Sequence, residues 1–320
     1  MGFTFTRLLS PFLICHAAGM KVSEAASPFF TWASAEHQYA EQTVAKLRDC
    51  FAAWILPRLG HLDLAQVNRE RILDLRQLML TRNLSIARQT SILHALKQFL
   101  GFCRSVLHSD TLDPAEIKLP QKPKPNPEAL NDEEWERVRQ ALNINKMTDL
   151  RMRAFVELLH ATGMRNGEAL ALNRPPFERG ESEIEIIGKG KKQRTIFLTS
   201  TPLFWVRQYL ARRTDQEPAL FVTTGPSPKR WARHDVSKHF IRLRKLAKID
   251  KKLTPHLLRH TFCTNLRNNG ADISLIKDLA GHADIQTTAR YYLKTDKAAL
   301  RNAVRKYLDP ENRMIHGRAA

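Results

Sequence analysis

Four side chains near the C-terminus are of types that together suit chemistry on a phosphodiester. His256 and Arg259 lie three positions apart, so a helix would present both on one face. His282 follows Gly281, a residue type that ends helices and lets the next side chain project from a tight turn into a cleft. Tyr291 adds a phenol. The sequence therefore places one guanidinium, two imidazoles and a phenol on three consecutive elements.

The stretch 254–292 predicts three short helices that hold these side chains. Thr254 is an N-cap candidate for the first helix, Asp272 for the second and Asp284 for the third. Gly281 is expected to end the second helix. An apolar stripe that would fix the first helix to a core is formed by Leu257, Leu258, Phe262 and Leu266.

This arrangement of H-x-x-R, then G-H, then Tyr resembles the C-terminal signature of the tyrosine recombinase (phage integrase) family, and is similar to its Xer-type and transposon-borne members. Alternatives exist for its separate parts. An isolated H-x-x-R pair is most often a helix face with a surface histidine. His256 and His260 could suggest a metal site, but the sequence shows neither the H-E-x-x-H glutamate nor a third ligand. Tyr292 is interpreted as a packing aromatic.

Two upstream segments resemble further parts of the same signature. ATGMRNGEALAL is similar to T-G-x-R-x-x-E, which implies that Arg165 is a catalytic arginine and that Glu168 holds its guanidinium. Two predicted strands, 184–187 and 195–198, enclose the hairpin sequence GKGKKQR, in which the resemblance implies Lys189 as the active-site lysine. From the residues alone, the first segment could be a weak helix-start ion pair and the second a solvated basic turn.

The catalytic set that the resemblance implies is Arg165, Lys189, His256, Arg259, His282 and Tyr291. In such an enzyme Tyr291 attacks the scissile phosphate, releases a 5′-hydroxyl and leaves a 3′-phosphotyrosine that the partner strand resolves. Because the covalent bond keeps the energy of the phosphodiester, the resemblance implies no cofactor: neither ATP nor metal is required.

The resemblance also implies the part that each remaining residue plays. Arg165, Arg259 and His282 would hold the non-bridging oxygens of the phosphate. Lys189 would protonate the leaving oxygen, and His256 would assist proton transfer at the tyrosine.

The composition agrees with a nucleic-acid partner. The chain has 320 residues, 51 Lys and Arg, 32 Asp and Glu, and a formal net charge of +19, which indicates a polyanionic partner without separating a DNA enzyme from an RNA-binding protein. Its length suggests two domains.

The four cysteines are scattered in apolar contexts, as expected of reduced core residues in a cytosolic protein rather than of a disulfide framework or zinc site. We expect a bacterial, cytoplasmic, nucleoid-associated protein.

The fold class expected is mainly α with a small antiparallel β-sheet. It comprises a helical, SAM-like core-binding domain that clamps DNA and a tyrosine recombinase catalytic domain. Predicted helices of the first domain cover about 43–55, ending near Pro57, then 68–80 and 85–105. The expected segments are a disordered leader 1–26 (with Met1 or Met20 as the start), the core-binding domain 27–112, a Lys/Pro linker 113–130, the catalytic domain 131–308 and a polar tail 309–320.

The expected partner is double-stranded DNA that carries a specific recombination site. A homotetramer is expected on that DNA through the helix 296–308, again by family resemblance. A basic helix with the core face Val236, Phe240, Leu243 and Leu246 is predicted to face the duplex, although many basic helices merely face water. The residues interpreted as DNA contacts are Arg88, Lys97, Lys122, Lys124, Lys191, Lys192, Arg194, Lys229, Arg230, Arg233, Lys238 and Arg242.

Two other functions remain open from the sequence. A type IB topoisomerase uses similar chemistry as a monomer, and would relax supercoils without exchanging partners. A non-catalytic DNA-binding regulator would explain the charge and the helices, but would not need the six catalytic residue types together.

Overall fold

The computed structural model describes residues 19–121, 128–188, 193–282 and 284–289. The chain divides between Pro125 and Asn126 into two compact units, each with its own hydrophobic core. The described residues are mainly helical and contain one sheet, a two-stranded antiparallel pair. The fold class expected from the sequence is confirmed. Within these ranges no helix is both long and apolar enough to span a bilayer.

The N-terminal unit is a helical bundle around a cluster of aromatic rings. Its helices α1 to α5 cover Val22–Ala35, Glu41–Cys50, Leu56–Leu59, Arg69–Thr81 and Ile86–Ser105. Phe29 and Phe51 both meet the ring of Phe99 nearly edge-on, with centroids 5.5 and 5.2 Å apart, the geometry that the ring quadrupole favours. These rings tie α1, the segment after α2 and α5 into one core.

The start of this unit differs from the expected leader. Helix α1 begins at Val22, and both Val22 and Ala25 are fully buried. The leader of 1–26 is therefore too long, because residues 22–26 form the start of the first helix and part of its buried face. Residues 1–18 lie outside the described part of the chain.

Two other boundaries in the N-terminal unit also differ from expectation. The chain does not stop being helical near Pro57, since a π-helical turn, Phe51–Ile55, passes directly into α3. Pro57 is the second residue of α3, at the junction of the two. The beginning of the expected 113–130 linker is also packed: Pro114–Glu116 forms a 3₁₀ turn and Ile117 is buried in the core.

The C-terminal unit surrounds a long buried helix. Its helices α6 to α14 cover Asp132–Gln140, Met147–Thr162, Asn166–Ala171, Pro175–Arg179, Ser200–Ala211, Arg233–Leu246, Pro255–Asn268, Ile273–Ala280 and Ile285–Ala289. Strands β1 and β2 cover Glu183–Ile187 and Gln193–Phe197, close to the two predicted strands. Helix α7 packs against α10 and α12, and its Phe155 meets the rings of Phe221 and Trp231 at 5.0 and 5.1 Å.

The three helices predicted over 254–292 begin where their caps were expected. The Thr254 hydroxyl accepts a hydrogen bond from the Leu257 backbone N–H at 3.2 Å. The carboxylates of Asp272 and Asp284 accept from Ser274 and Gln286, at 2.7 and 2.9 Å. These side chains satisfy N–H groups that a helix start leaves without partners.

The apolar face of the basic helix α11 is shorter than predicted. Val236, Phe240 and Leu243 are buried, but Leu246 is 48% exposed and the buried face continues at Ala247 instead. Val236, Phe240, Leu243 and Ala247 follow one another at spacings of four, three and four residues and so share one face, whereas Leu246 lies to the side of it.

Gly163 tests how tightly the end of α7 is packed. Its φ of 58° lies in the left-handed region, and a Cβ there would overlap the ring of Phe262. We expect Gly163→Ala to lower the free energy of unfolding by about 1 kcal/mol for backbone strain and by about 1–3 kcal/mol more for the overlap. The midpoint of urea denaturation of the full chain measures the loss.

Gly270→Ala is the matched control. Gly270 also has a positive φ, 83°, but no atom lies within 4 Å of the added Cβ. It should therefore lose only the strain contribution. Equal losses in the two variants would contradict the packing argument.

Candidate functional site

Arg165 is held at both ends of its guanidinium. It occupies the N-cap position of α8, directly after the turn that ends α7. Its Nη1 donates to Glu168 Oε1 at 2.9 Å, and its Nη2 donates to the Gly281 carbonyl at 2.7 Å. The Arg165 backbone N–H donates to the other carboxylate oxygen at 2.8 Å. The arginine thus connects the start of α8 to the turn after α13 in one fixed pose.

Arg259 lies on α12 and is 95% removed from solvent, with a relative exposure of 5%. Its Nη1 donates to the Gly163 carbonyl at 2.8 Å, whereas its buried Nη2 has no hydrogen-bond partner among the described residues. Burial and the charge of Arg165 lower the pKa of Arg259 to about 10, so it stays cationic at neutral pH. A buried N–H of a charged group without a partner is costly, and an anion is the group that would satisfy it.

His256 lies one turn before Arg259 on the same helix, as the sequence predicted. Burial, then the charges of Arg259 and Arg165, lower the pKa of His256. Arg259 and Arg165 also lower the pKa of His282, so the two histidines share one electrostatic environment. A neutral imidazole in that position can accept a proton.

His282 follows Gly281, whose φ is 65°, and is itself buried. Burial, then the charges of Arg259, Arg165 and Arg194, lower the pKa of His282 to about 4. The imidazole is therefore neutral at pH 7 although it lies among cations. Its Nδ1 lies 2.8 Å from the hydroxyl oxygen of Thr288, a fully buried residue of α14.

Thr288 was not identified from the sequence. A threonine six positions after a histidine carries no motif of its own, and only the turn between α13 and α14 brings the two together. Among the described residues its hydroxyl has no hydrogen-bond partner other than His282 Nδ1. When the hydroxyl donates to Nδ1, the ring proton lies on Nε2 and that nitrogen is a donor.

Arg194 occupies a different place from the one expected. Predicted as a phosphate contact, it is instead ion-paired with Glu168, its Nη2 lying 2.9 Å from Oε2. Burial opposes ionisation of the Glu168 carboxyl, but the hydrogen bonds from Arg194 and Arg165 outweigh it, and the pKa of Glu168 lies below its ordinary value. One carboxylate therefore sits between two guanidiniums.

Two further predicted DNA contacts are also bonded within the protein. Arg230 donates to the carbonyls of Leu170 and Leu172 at 2.8 and 2.9 Å, which holds the end of α8. Arg242 forms a two-point ion pair with Asp149 at 2.5 and 3.2 Å, which fixes α11 to α7. A basic tract read from sequence does not reveal which cations have acceptors in the fold, and these two do.

The other predicted contacts in the described ranges differ in exposure. Lys229, Arg233 and Lys238 are exposed, whereas Arg88 and Lys97 are half-buried on α5. Lys238 lies 3.7 Å from Asp235 with 75% of its side chain exposed, a weak surface pair. The remaining predicted site residues lie outside the described residues and stay predictions: Lys122, Lys124, Lys189, Lys191, Lys192 and Tyr291.

The site as a whole is a cationic cluster around a single carboxylate. Hydrogen bonds join Arg165, Glu168 and Arg194. The charges of Arg165 and Arg194 also lower the pKa of Arg259 and of His282, which places those two in the same cluster. With both histidines neutral, three guanidiniums outweigh the one carboxylate, so the site favours an anion with several oxygens. Within the described ranges, no three His, Cys, Asp or Glu side chains are grouped so that they could hold a metal ion.

Comparison with known sequences gives consistent matches. The model of the phage integrase family matches residues 128–298. The tyrosine recombinase XerD of Oceanobacillus iheyensis is 33% identical over 231 residues, which make up 70% of this chain and 75% of that protein. The XerD of Halalkalibacterium halodurans is 35% identical over 213 residues, 65% of this chain and 70% of that protein.

Solved structures share the fold. The Tn1549 transposon integrase in complex with transposon right end DNA matches with a TM-score of 0.71 at 18% identity, covering 90% of this chain and 100% of that one. A lambda integrase dimer bound to a COC′ core site matches with a TM-score of 0.69 at 17% identity, covering 87% and 98%. At these identities the likeness concerns the fold alone.

The protonation of His282 can be measured directly. With ¹⁵N-labelled histidine, and with His282→Gln to assign its signals, we expect a titration midpoint near pH 4 and a proton on Nε2 at pH 7. Thr288→Val should shift the ring toward the other tautomer, because it removes the hydroxyl donor while keeping the shape of the side chain. Thr288→Ser should preserve the original signals. A ring that Thr288→Val leaves unchanged would refute the assignment.

Proposed function

Because the chain belongs to the phage integrase family, we propose that it is a site-specific DNA recombinase that cuts and rejoins double-stranded DNA through a 3′-phosphotyrosine. The observation that carries this proposal is the cluster of Arg165, Arg259 and His282, in which a buried guanidinium N–H of Arg259 has no acceptor among the residues that the structure describes. A phosphate has the charge and the several oxygens that such a cluster would bind.

The two arginines suit the stabilisation of a phosphoryl transition state. Attack on a phosphodiester develops extra negative charge on the non-bridging oxygens. Arg165 and Arg259 are each bonded on one side to protein acceptors, Gly281 and Gly163, so they need little reorganisation when that charge forms. In this proposal His282 donates from Nε2 to the same oxygens as a neutral group.

His256 is proposed to assist the nucleophile. Its lowered pKa keeps it neutral at physiological pH, and a neutral imidazole can take the phenolic proton as the tyrosine attacks. The same proton can return when the phosphotyrosine is resolved, so the residue would act in both directions of a reversible reaction.

Tyr291 and Lys189 complete the proposed mechanism through the family motif. The phenolate oxygen of Tyr291 bonds to phosphorus, and the bond from phosphorus to the 5′-oxygen breaks. Lys189 gives a proton to that leaving oxygen, which becomes a 5′-hydroxyl. A 5′-hydroxyl of the partner strand then attacks the 3′-phosphotyrosine, rejoins the DNA and releases the phenol. Neither step consumes ATP.

Substrate DNA would be held outside the cluster by exposed cations. Lys229, Arg233 and Lys238 lie on α11 or just before it, and the chain carries a net charge of +19. These positions are proposed as backbone contacts that neutralise phosphates. Because the similar proteins reported above are bacterial, we infer a bacterial host and action at the nucleoid.

A homotetramer on DNA is proposed as the active assembly. Recombination between two duplexes needs four strand cleavages and therefore four tyrosines. The segment 296–308, which lies outside the described residues, contains the apolar residues Ala298, Leu300, Val304 and Leu308, and we propose that it packs on a neighbouring subunit.

Of the other functions weighed, neither is favoured. The sequence relatives reported above are tyrosine recombinases, whereas no observation on the described residues favours relaxation of supercoils. A non-catalytic regulator would have no use for a buried arginine whose N–H has no acceptor in the described part of the chain.

Replacement of Tyr291 tests the proposed chemistry. The chain is incubated with sheared genomic DNA of its host, covalent adducts are captured in detergent, and the attached DNA is sequenced. We expect the unaltered chain to capture one sequence and Tyr291→Phe to capture none while still binding the recovered duplex. The family motif assigns the nucleophile to Tyr291 and not to its neighbour, so Tyr292→Phe should keep the adduct. Adduct formation by Tyr291→Phe but not by Tyr292→Phe would exchange their roles.

Replacement of Lys189 tests the proposed general acid. General acid catalysis is typically worth about 10²- to 10⁴-fold, so Lys189→Ala should cleave the recovered duplex slower by that order. A sulfur in place of the bridging 5′-oxygen is a leaving group that needs no proton and should nearly restore the rate. Arg165→Ala, which removes a contact to the other oxygens, should gain nothing from the sulfur. Equal slowness of Lys189→Ala on both duplexes would assign the lysine to phosphate binding instead.

A further inference from the structure

Arg194 faces inward from the hairpin strand. It lies on β2 opposite Ile186 of β1, and shares a face of the strand with Ile196, which is buried. Its own side chain is 12% exposed. A residue expected to reach outward to DNA thus points toward the core-facing side of the sheet.

Two parts of the cluster meet at this side chain. The Nη2 of Arg194 donates to Glu168 Oε2 at 2.9 Å. On the other side the arginine lies so close to Gly281 that a Cβ there would be 2.9 Å from Arg194 Cδ and Nη1. Gly281 is the residue whose carbonyl accepts from Arg165 and which precedes His282. Arg194 therefore contacts both of the groups that hold Arg165.

The charges give this contact a further consequence. A carboxylate paired with Arg165 alone would offset the charge that Arg165 has to present to a phosphate. With Arg194 on the same carboxylate, Glu168 fixes the pose of Arg165 while the three groups together keep a net positive charge. Glu168 can therefore hold Arg165 in place without cancelling the positive potential that a phosphate would experience. The charge of the second guanidinium offsets the charge of the carboxylate.

We propose that Arg194 is a positioning residue for the recombination reaction. It anchors Glu168 and the Gly281 turn, and so fixes the pose of Arg165 and keeps the net charge around it positive. The proposal rests on the proposed function. It also joins the strand that leaves the Lys189 hairpin to the arginine cluster, since Arg194 is five positions after Lys189 in the chain.

Arg194→Met removes the charge and keeps most of the side-chain length. On the duplex recovered by covalent capture, we expect single-turnover cleavage to fall by about 10- to 100-fold, the scale of a small misplacement of a reacting group. The Kd for that duplex should change by less than about threefold, since other cations supply most of the binding. Arg194→Lys, which keeps the charge, should retain a larger share of the rate. A large loss of binding with an unchanged cleavage rate would return Arg194 to the role of a DNA contact.

A second substitution separates the charge from a purely structural role. In Arg194→Met/Glu168→Gln the unbalanced carboxylate becomes a neutral amide whose oxygen can still accept from Arg165. The double variant should cleave faster than Arg194→Met alone. If the losses of cleavage rate in the two single variants simply multiply in the double variant, the charge argument is overturned. A side chain that is needed only for packing would not be compensated by a change of charge at its partner.

Arg179→Met is the matched control. It removes an arginine from an ion pair with Glu181 in the same unit, and should cleave like the unaltered chain. The free energies of unfolding of Arg194→Met, Glu168→Gln and the double variant can be compared without DNA. Additive losses of stability in this comparison would overturn the pairing of Arg194 with Glu168. Absence of an adduct from both the unaltered chain and Arg179→Met would count against the proposed function. The unfolding measurements would still test whether Arg194 is paired with Glu168.

Discussion

Mutual repulsion among the guanidiniums of Arg165, Arg194 and Arg259 is the constraint on which the C-terminal unit depends. The fold brings these cations together with one carboxylate, Glu168, and that carboxylate takes bonds from two of them. The third, Arg259, is held by a backbone carbonyl. Such a cluster is stable only where surrounding packing fixes it, and the buried aromatic core on α7 provides that support.

Two glycines in left-handed conformations place the acceptors that this cluster requires. Gly163 ends α7 and offers its carbonyl to Arg259, and Gly281 ends α13 and offers its carbonyl to Arg165. Each arginine is therefore fixed by the end of a helix to which it does not belong. Because a helix C-terminus carries unsatisfied carbonyls and a partial negative charge, these turns suit cations without adding further carboxylates to the site.

Much of this arrangement could be predicted from the sequence where local chemistry decides. Caps such as Thr254 and Asp272, and the pairing of Arg165 with Glu168, depend on neighbours a few positions away and were predicted. The roles of Arg194 and Arg230 depend on acceptors distant in the chain, on α8 and its following turn, and were missed. Thr288 was missed for the same reason. The start of α1 was misplaced because its first backbone N–H groups bond to carbonyls distant in the chain, those of Gly60 and Leu62.

The buried N–H of Arg259 also connects folding to ligand binding. Among the described residues that N–H has no acceptor. Without an anion the folded chain therefore bears the cost of desolvating it, which the unfolded chain, whose arginine is hydrated, does not. A ligand that binds only the folded state adds its binding free energy to the stability of that state. Phosphate-bearing ligands should therefore act on this protein as thermodynamic stabilisers, so that occupancy of the site and resistance to unfolding are two measures of one equilibrium.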